Sequence, residues 1–433
     1  MTPQDTIATI SEKPNFLLAV AAHLRRKDAK AAVLNGSIIM LLSSSLVSGL
    51  NFLYNVAMAR MLGPSKFGHV TASVTLLMLA SAVTLSFQLV CAKFVARNQT
   101  AGAKAAVYRS LLGKAWMLSL ALGGGLAASR GLVASYLHIP DPAVLAVLAV
   151  GIAVYVPVGV RRGAMQGLCS FRRLSASFII EAFTRLACGV ALVAAGYGVL
   201  GAVGAISAAV VAAYFLAPLG PEMRVRSEKS SPASFGEGFQ AIVFFVGQVI
   251  INNIDILLVK HFFTPELAGL YAAVALVGRL LYFASWSVVS AMFPISAARP
   301  QEENHEVVYW PLLTVLGMTL GFVFTLSFFP HFVIHTIFGV EFHQGEPLLA
   351  LYAVSAGLYS LSVVLMTYEM SRRIANTGWL QLVFSGVLVL AISAYHNSLH
   401  QVIAVQIVLM AVMLALVLFP FARRLRAPTP EAV

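Results

Sequence analysis

The sequence predicts an all-α polytopic membrane protein, with twelve transmembrane helices arranged in two six-helix lobes around a central cavity. Of its 433 residues, 59% are hydrophobic and only 11% are charged, and its mean hydropathy is +0.85. A water-soluble fold of this length could not bury so much apolar surface. Long apolar stretches separated by short polar loops account for nearly all of the chain, so the bilayer is its expected solvent.

Each predicted span contains the roughly 20 mostly apolar residues that a helix needs to cross a hydrocarbon core about 30 Å thick. The runs are continuously apolar and do not alternate with polar residues, which favours helices over barrel strands. Only three residues separate spans five and six, so that boundary is the least sharp. The predicted spans are Leu34–Ala59, Phe67–Phe94, Leu111–Leu132, Ala143–Met165, Leu174–Gly196, Val199–Leu219, Phe239–Phe262, Leu267–Ile295, Tyr309–Ile337, Leu348–Met370, Trp379–Ala394 and Val402–Pro420.

The spans divide the chain into five segments. The first is a cytoplasmic N-terminal segment, in which residues 16–30 are apolar and then basic. This pattern is typical of a short helix on the membrane surface, and equally of a basic tail. The segments are 1–33 (N-terminal), 34–219 (N-lobe), 220–238 (cytoplasmic linker), 239–421 (C-lobe) and 422–433 (cytoplasmic tail).

The loop charges predict the orientation. Most of the 29 Lys and Arg residues lie on the side of both termini, whereas Arg60, Lys66, Arg130 and Lys260 lie near the opposite side. Cytoplasmic loops carry the excess of Lys and Arg, so both termini are expected in the cytoplasm. The formal net charge of +12 is then explained by topology and by the anionic inner leaflet, without a nucleic-acid partner.

An internal repeat relates the two halves. Pro64 and Gly68, between spans one and two, align at one constant offset with Pro265 and Gly269, between spans seven and eight. At both places a Pro interrupts the chain and a Gly four residues later permits close helix contact. Because each repeat contains six spans, an even number, the lobes are expected to be related by a pseudo-two-fold axis along the membrane normal.

The same segments carry a family resemblance. Residues 59–68, 253–259 and 268–273 resemble the polysaccharide transporter family, the branch of the multidrug/oligosaccharidyl-lipid/polysaccharide exporter superfamily that contains O-antigen and exopolysaccharide flippases. The resemblance implies a bacterial inner-membrane protein that moves an undecaprenyl-diphosphate-linked oligosaccharide from the cytoplasmic to the periplasmic leaflet by alternating access, for surface polysaccharide biosynthesis. The implied partners are the lipid-linked glycan, the phospholipid bilayer and other polysaccharide biosynthesis proteins, and we expect a monomer.

Charged residues inside spans are costly and therefore indicate a cavity or a pathway. Arg185 and Arg279 lie near the middle of spans five and eight, and Lys114 lies in span three. Guanidinium groups suit a diphosphate because each can donate two hydrogen bonds to neighbouring oxygens, so the two arginines are candidate substrate contacts, together with the cationic Lys114. The alternatives are pairing of Arg185 with Glu181 four residues earlier, pairing of Arg279 with Asp255 across a helical hairpin, and snorkelling of Lys114 to the interface.

The acidic residues Asp255, Glu181 and Glu369 are candidates either for binding a coupling proton or sodium ion, or for charge pairs. No other cofactor is expected, and the membrane potential could also drive transport. Polar amides in the spans could contact sugar hydroxyls, or form hydrogen bonds between helices. These amides are Asn51, Asn55 and Gln88. Asn252 and Asn253, near the middle of span seven, are further candidate substrate-binding residues.

Arginine pairs on the cytoplasmic side suggest a portal for an anionic head group, although the positive-inside bias explains such residues equally well. They are Arg161, Arg162, Arg172, Arg173, Arg372 and Arg373.

Enzymatic functions find little support. The sequence has no phosphate-binding Walker loop, no His-Glu-x-x-His and no paired-Cys metal motif, so neither catalysis nor a metal site is expected. The predicted outward loops, of about ten residues, are too short to hold a catalytic domain. Two alternatives remain open: a multidrug or toxic-compound cation antiporter of the same superfamily, and a non-transporting subunit or synthase of a glycan-secretion complex.

Overall fold

A computed structural model describes residues 16–223, 225, 239–298, 305–371 and 377–426, and within these ranges it contains helices and no strand. We number the α-helices α1 to α13 in chain order. They are α1 (Phe16–Arg97), α2 (Ala101–Ala128), α3 (Arg130–Tyr136), α4 (Ala143–Gly167), α5 (Phe171–Leu192), α6 (Gly198–Leu216), α7 (Phe239–Phe262), α8 (Pro265–Ala298), α9 (His305–Phe328), α10 (Pro330–Ile337), α11 (Glu346–Ser371), α12 (Thr377–Ala394) and α13 (Leu399–Arg426).

The described part of the chain accounts for twelve crossings. Nine helical stretches are long and apolar enough to span a membrane. Two of them, Ile39–Arg97 with 59 residues and Phe171–Leu216 with 46, are long enough to cross twice, and the shorter apolar helix Trp379–Ala394 supplies one more. The prediction of an all-α protein with twelve spans is confirmed.

Glycines mark the places where the long helical stretches turn. Gly63 has φ 71°, and it separates spans one and two within α1, directly before Pro64. Between α5 and α6, Gly196 has φ 90° and Gly198 has φ 52°. Residues with a Cβ rarely adopt these angles, so both turns depend on glycine. The predicted boundary between spans five and six therefore lies where the sequence placed it.

The prediction of one continuous span from Tyr309 to Ile337 is wrong. Helix α9 ends at Phe328, and α10 begins separately at Pro330. Proline has no N–H to continue the helical hydrogen bonds, and it restricts the residue before it. As a result, the connection between α9 and α11 is longer than expected, and it contains α10 and a 3₁₀ helix at Val340–Gly345.

Each half of the chain packs mainly on itself. In the N-lobe, α4 lies against α1, α2 and α6, and α5 lies against α6 and α1. In the C-lobe, α11 lies against α8, α9 and α13, and α7 lies against α12. The lobes meet where α1 contacts α7 and α8.

The two ends of the bundle differ in the connections they carry. We call the end with the turns at Gly63 and Phe263 the hairpin end, and the end with the linker helix Pro221–Met223 the linker end. At the hairpin end, Arg60 Nε of the N-lobe donates to the carbonyl of Ile337 at 2.8 Å. His261 Nδ1 of the C-lobe lies 2.8 Å from the carbonyl oxygen of Tyr136. These contacts close the hairpin end between the lobes.

Candidate functional site

Most of the buried charged side chains that the structure describes form two separate groups, one in each lobe. The N-lobe cluster consists of Arg162, Glu181 and Arg185, and the C-lobe cluster consists of Asp255, Arg279 and the polar side chains around them. Thus the two mid-membrane arginines that the sequence singled out lie in different lobes, each beside an acidic residue. Both of the charge pairings considered from the sequence are present.

In the N-lobe cluster, one carboxylate bridges two guanidinium groups. Glu181 and Arg185 lie one turn apart on α5, and Arg185 Nη2 donates to Glu181 Oε1 at 2.5 Å. Arg162, from the last part of α4, donates through Nη2 to Glu181 Oε2 at 2.7 Å. All three residues are buried. Two positive charges and one negative charge leave an excess of one positive charge in this cluster.

Arg185 also reaches span one. Its Nη1 donates to Asn51 Oδ1 at 3.0 Å, and the side chain of Asn55 donates to the carbonyl of Asn51 at 2.8 Å. Arg185 Nε has no hydrogen-bond partner among the described residues. Since a guanidinium has five donor N–H groups, Arg185 has donor capacity beyond these contacts, although Nε is buried from solvent in this conformation.

The C-lobe cluster is electrically balanced. Asp255 Oδ2 accepts hydrogen bonds from the hydroxyls of Tyr271 at 2.8 Å and Tyr352 at 2.9 Å. Asp255 Oδ1 lies 3.6 Å from Arg279 Nη2 and accepts no hydrogen bond from the residues described. Arg279 Nη2 instead donates to the carbonyl of Asn252 at 2.6 Å.

A cavity of about 40 Å³ adjoins this cluster, and its walls include Asp255, Arg279, Tyr352 and Gln406. A water molecule needs about 10–15 Å³ of such space, so the cavity has room for water molecules or a proton path. It is too small for a sugar head group. The C-lobe cluster is therefore suited to a small species and not to the glycan itself.

Most of the candidate amides bond within the protein. Asn252 and Asn253 donate to the carbonyls of Gln248 at 2.9 Å and Val249 at 2.7 Å, one turn earlier on their own helix. Gln88 donates to Gln166 Oε1 of α4 at 3.1 Å. The contact of Gln88 agrees with the alternative of hydrogen bonding between helices, whereas Asn252 and Asn253 bond within their own helix.

Lys114 and Glu369 are the remaining charged candidates from the sequence. Lys114 is exposed on the same face of α2 as Met117, whereas Leu111 and Ala115 on the other face are buried. This position agrees with a side chain that snorkels along a lipid-facing helix. Glu369 is buried near the end of α11.

The structure differs from the portal prediction at Arg162, which is buried in the N-lobe cluster with its guanidinium 4.0 Å from the ring centroid of Phe178. The excess of Lys and Arg expected in cytoplasmic loops had suggested that this arginine lies at the surface. Its burial beside Glu181 depends instead on how α4 and α5 pack against each other. Arg161 is held by the carbonyl of Ala217 at 2.8 Å and lies over the ring of Tyr214.

Of the remaining portal candidates, Arg172 is exposed. Arg173 lies 3.4 Å from Glu222 of the linker. Arg372 and Arg373 lie outside the described residues.

The side chain of Lys260 is fully buried at the hairpin end. The sequence pattern had indicated that this lysine is one of the outward loop charges. Its position at the end of α7, between mostly apolar residues, was the only signal in the sequence.

The comparisons with known proteins agree with this architecture. The sequence profile of the family described as "Polysaccharide biosynthesis protein" matches residues 33–299. No curated protein sequence is significantly similar to the chain. Several solved structures share its fold.

Three of these structures illustrate the range. The lipid II flippase MurJ in an inward closed conformation superposes with a TM-score of 0.72 at 11% identity, covering 89% of this chain and 87% of its own. An inward-facing multidrug resistance transporter of the MATE family gives 0.65 at 13% identity, covering 88% and 96%. A MOP-superfamily transporter from Pyrococcus furiosus Vc1, in which reverse polarity of the binding pocket suggests a different function, gives 0.56 at 15% identity, covering 91% and 95%.

Proposed function

Because the chain belongs to the polysaccharide biosynthesis protein family, we propose that it is a flippase for an undecaprenyl-diphosphate-linked oligosaccharide. It moves this lipid from the cytoplasmic to the periplasmic leaflet of a bacterial inner membrane by alternating access. In this proposal the linker end faces the cytoplasm, the hairpin end faces the periplasm, and the protein transports its substrate without chemical change.

The excess positive charge of the N-lobe cluster is the observation that carries the proposal. A Glu181–Arg185 pair alone would be neutral, and such a pair could be explained by a structural role without any ligand. The addition of Arg162 at 2.7 Å from the same carboxylate leaves one guanidinium charge without a counter-charge in the cluster. A charge near the membrane centre costs about 3 kcal/mol on insertion scales, and an anionic diphosphate would remove that cost while it is bound.

The same charge balance argues against the alternative of a cation antiporter. A cation site needs a carboxylate with a negative charge to offer, but Glu181 lies between two arginines and Asp255 lies 3.6 Å from Arg279. Neither cluster has negative charge in excess. The charges of these two clusters therefore favour an anionic substrate.

The C-lobe cluster is the proposed coupling site, and a proton suits it better than sodium. A sodium ion at Asp255 would have to compete with the adjacent guanidinium of Arg279, whereas a proton needs only the single oxygen Oδ1 that accepts no hydrogen bond from the described residues. Protonation of Asp255 would weaken its attraction to Arg279. The arginine would then be free to change partners between two arrangements of the lobe.

The proposal is tested in a strain that lacks the gene. We expect lipid-linked oligosaccharide to accumulate on the cytoplasmic leaflet, and the wild-type gene to restore its export. Arg185→Met should not restore export although the protein is inserted at normal levels, whereas Lys114→Met, which removes the same charge from an exposed position, should restore it. Unchanged glycan export in the deletion strain, together with altered drug tolerance, would favour the antiporter and overturn the proposal.

A further inference from the structure

The hairpin end contains a contact between the two lobes that leaves no room for a side chain. A Cβ on Gly68 would lie 2.9 Å from the carbonyl oxygen of Pro265 and 3.0 Å from the nitrogen of Gly269. A Cβ on Gly269 would overlap the carbonyl group of Pro64. The obstructing atoms are backbone atoms, so no flexible side chain can move aside, and the two lobes meet here backbone against backbone.

This contact is reciprocal because it joins equivalent positions of the internal repeat. Gly68 aligns with Gly269 and Pro64 with Pro265, and each glycine packs against the segment that carries the other. A self-complementary contact of this kind lies on the pseudo-two-fold axis. It is therefore the point where a rocking movement of the lobes would open or close the hairpin end.

A buried amine lies beside the same contact. Lys260 is fully buried, and no oxygen in the described part of the chain accepts a hydrogen bond from its Nζ. His69, next to Gly68, is also buried, and its Nδ1 has no partner in that part. Lys260 and the exposed Glu266 are within electrostatic range of His69. Burial of a polar group without a hydrogen bond is costly whether or not it is charged, and opening of the hairpin end would hydrate it.

We propose that these residues form a two-part gate at the hairpin end, in which the Gly68–Gly269 contact permits closure and the buried Lys260 opposes it. The balance between the two sets how often the hairpin end opens. This inference rests on the alternating access of the proposed function, but it concerns the gate alone and requires no particular substrate.

The test is the accessibility of a single cysteine behind the gate. Cys91, Cys169 and Cys188 are replaced by alanine, and Ala72→Cys is introduced, because Ala72 is buried one turn from Gly68 on the same helix face. The rate of labelling by a membrane-impermeant maleimide is then measured in cells and in inverted vesicles, so that the two sides of the membrane are distinguished. No substrate is added.

Gly269→Ala should raise the labelling rate from the hairpin side about tenfold, since overpacking of a tight contact typically shifts an equilibrium by about 5- to 150-fold. Gly68→Ala should raise it less, because its Cβ meets the opposite lobe at a longer distance. Lys260→Met, measured in the Gly68→Ala background, should lower the rate about tenfold, because it removes the unpaired amine. The matched controls are Gly124→Ala, where the Cβ meets open space, and the exposed Lys66→Met; neither should change the rate.

An unchanged rate in a folded glycine variant, or a Lys260→Met rate equal to that of Lys66→Met, would overturn the gate. If Gly269→Ala does not fold, the labelling rate of Gly68→Ala decides whether the glycine contact controls opening of the hairpin end. Labelling from the opposite side of the membrane, with the same pattern among variants, would support the gate but contradict the orientation in the proposed function. Unchanged glycan export in the deletion strain, together with the expected labelling pattern, would overturn the proposed function and leave the gate standing.

Discussion

Removal of each member of the N-lobe cluster should have a different effect on stability, because Glu181 has two oppositely charged partners and each arginine has one. In Glu181→Gln, Arg162 and Arg185 lose their shared counter-charge and repel each other. Breaking a buried pair so that charge is left uncompensated typically costs about 3–5 kcal/mol. In Arg185→Met, Glu181 keeps Arg162 at 2.7 Å, so the loss is that of the charge-assisted hydrogen bond to Glu181, about 1.5–3 kcal/mol, and of the hydrogen bond to the half-buried Asn51.

Arg162→Met should lie between these two. Glu181 keeps Arg185, but the variant also loses the contact of the guanidinium with Phe178 and the hydrogen bond from Arg162 Nε to Ser177 at 3.0 Å. The predicted order of destabilisation is therefore Glu181→Gln, then Arg162→Met, then Arg185→Met. Both arginine variants abolish the excess charge and leave a paired carboxylate, but Arg185→Met does so at the smaller cost in stability, so it separates stability from function best.

Thermal unfolding of the purified protein in detergent measures this order, and export in the deletion strain measures function. The control is Arg173→Met, whose partner Glu222 forms a partly exposed pair at 3.4 Å; loss of such a pair should cost less than about 1 kcal/mol. If Glu181→Gln were no less stable than Arg185→Met, the assignment of one carboxylate to two arginines would be refuted. If Arg185→Met exported normally, the excess charge would have no role in transport.

Three further predictions follow from the geometry. Asp255→Asn cannot bind a coupling proton, so any residual export should become insensitive to a protonophore; export that remains as sensitive as in the wild type would exclude this carboxylate as the coupling site. Gly163→Ala should lower the melting temperature, because its Cβ would meet the carbonyl of Gln88 and lie 2.8 Å from Cys91 Cβ, at a cost of about 1–3 kcal/mol; the helical control Gly317→Ala, whose Cβ meets open space, should not. Lys114→Met should leave export unchanged, and loss of export would place Lys114 on the substrate path.

The spans could be predicted from the sequence because they depend on a local property, the length of an apolar run. The prediction failed where that property does not decide the outcome. Hydropathy continues across Phe328, Phe329 and Pro330, but the proline ends the helical hydrogen bonding, so α9 and α10 are separate helices. Here backbone chemistry overrides composition.

The candidate site could be predicted only in part, for a related reason. Glu181 and Arg185 lie on one helix, so their spacing reveals their contact. Arg162 joins them from another helix, and the charge rule for loops already offered a sufficient explanation for its presence. The burial of Lys260 was missed for the same reason, because its place next to an outward loop already explained its charge. A rule that explains a charge by the loop nearest to it cannot show whether the side chain points into the protein, which depends on tertiary packing.

The repeat is preserved where the lobes must fit each other, and it is lost where they must bind different species. Gly68 and Gly269 are equivalent and in mutual contact, and a contact on a two-fold axis needs the same shape from both sides. The clusters are not equivalent: the N-lobe has a positive charge in excess, whereas Asp255 and Arg279 in the C-lobe balance each other. Lys260 aligns with Ala59, so the amine at the gate is also present in one lobe only. In the proposed function, one repeat would thus hold an anion while the other responds to a proton, and in the proposed gate the symmetric contact would give both lobes one shared movement.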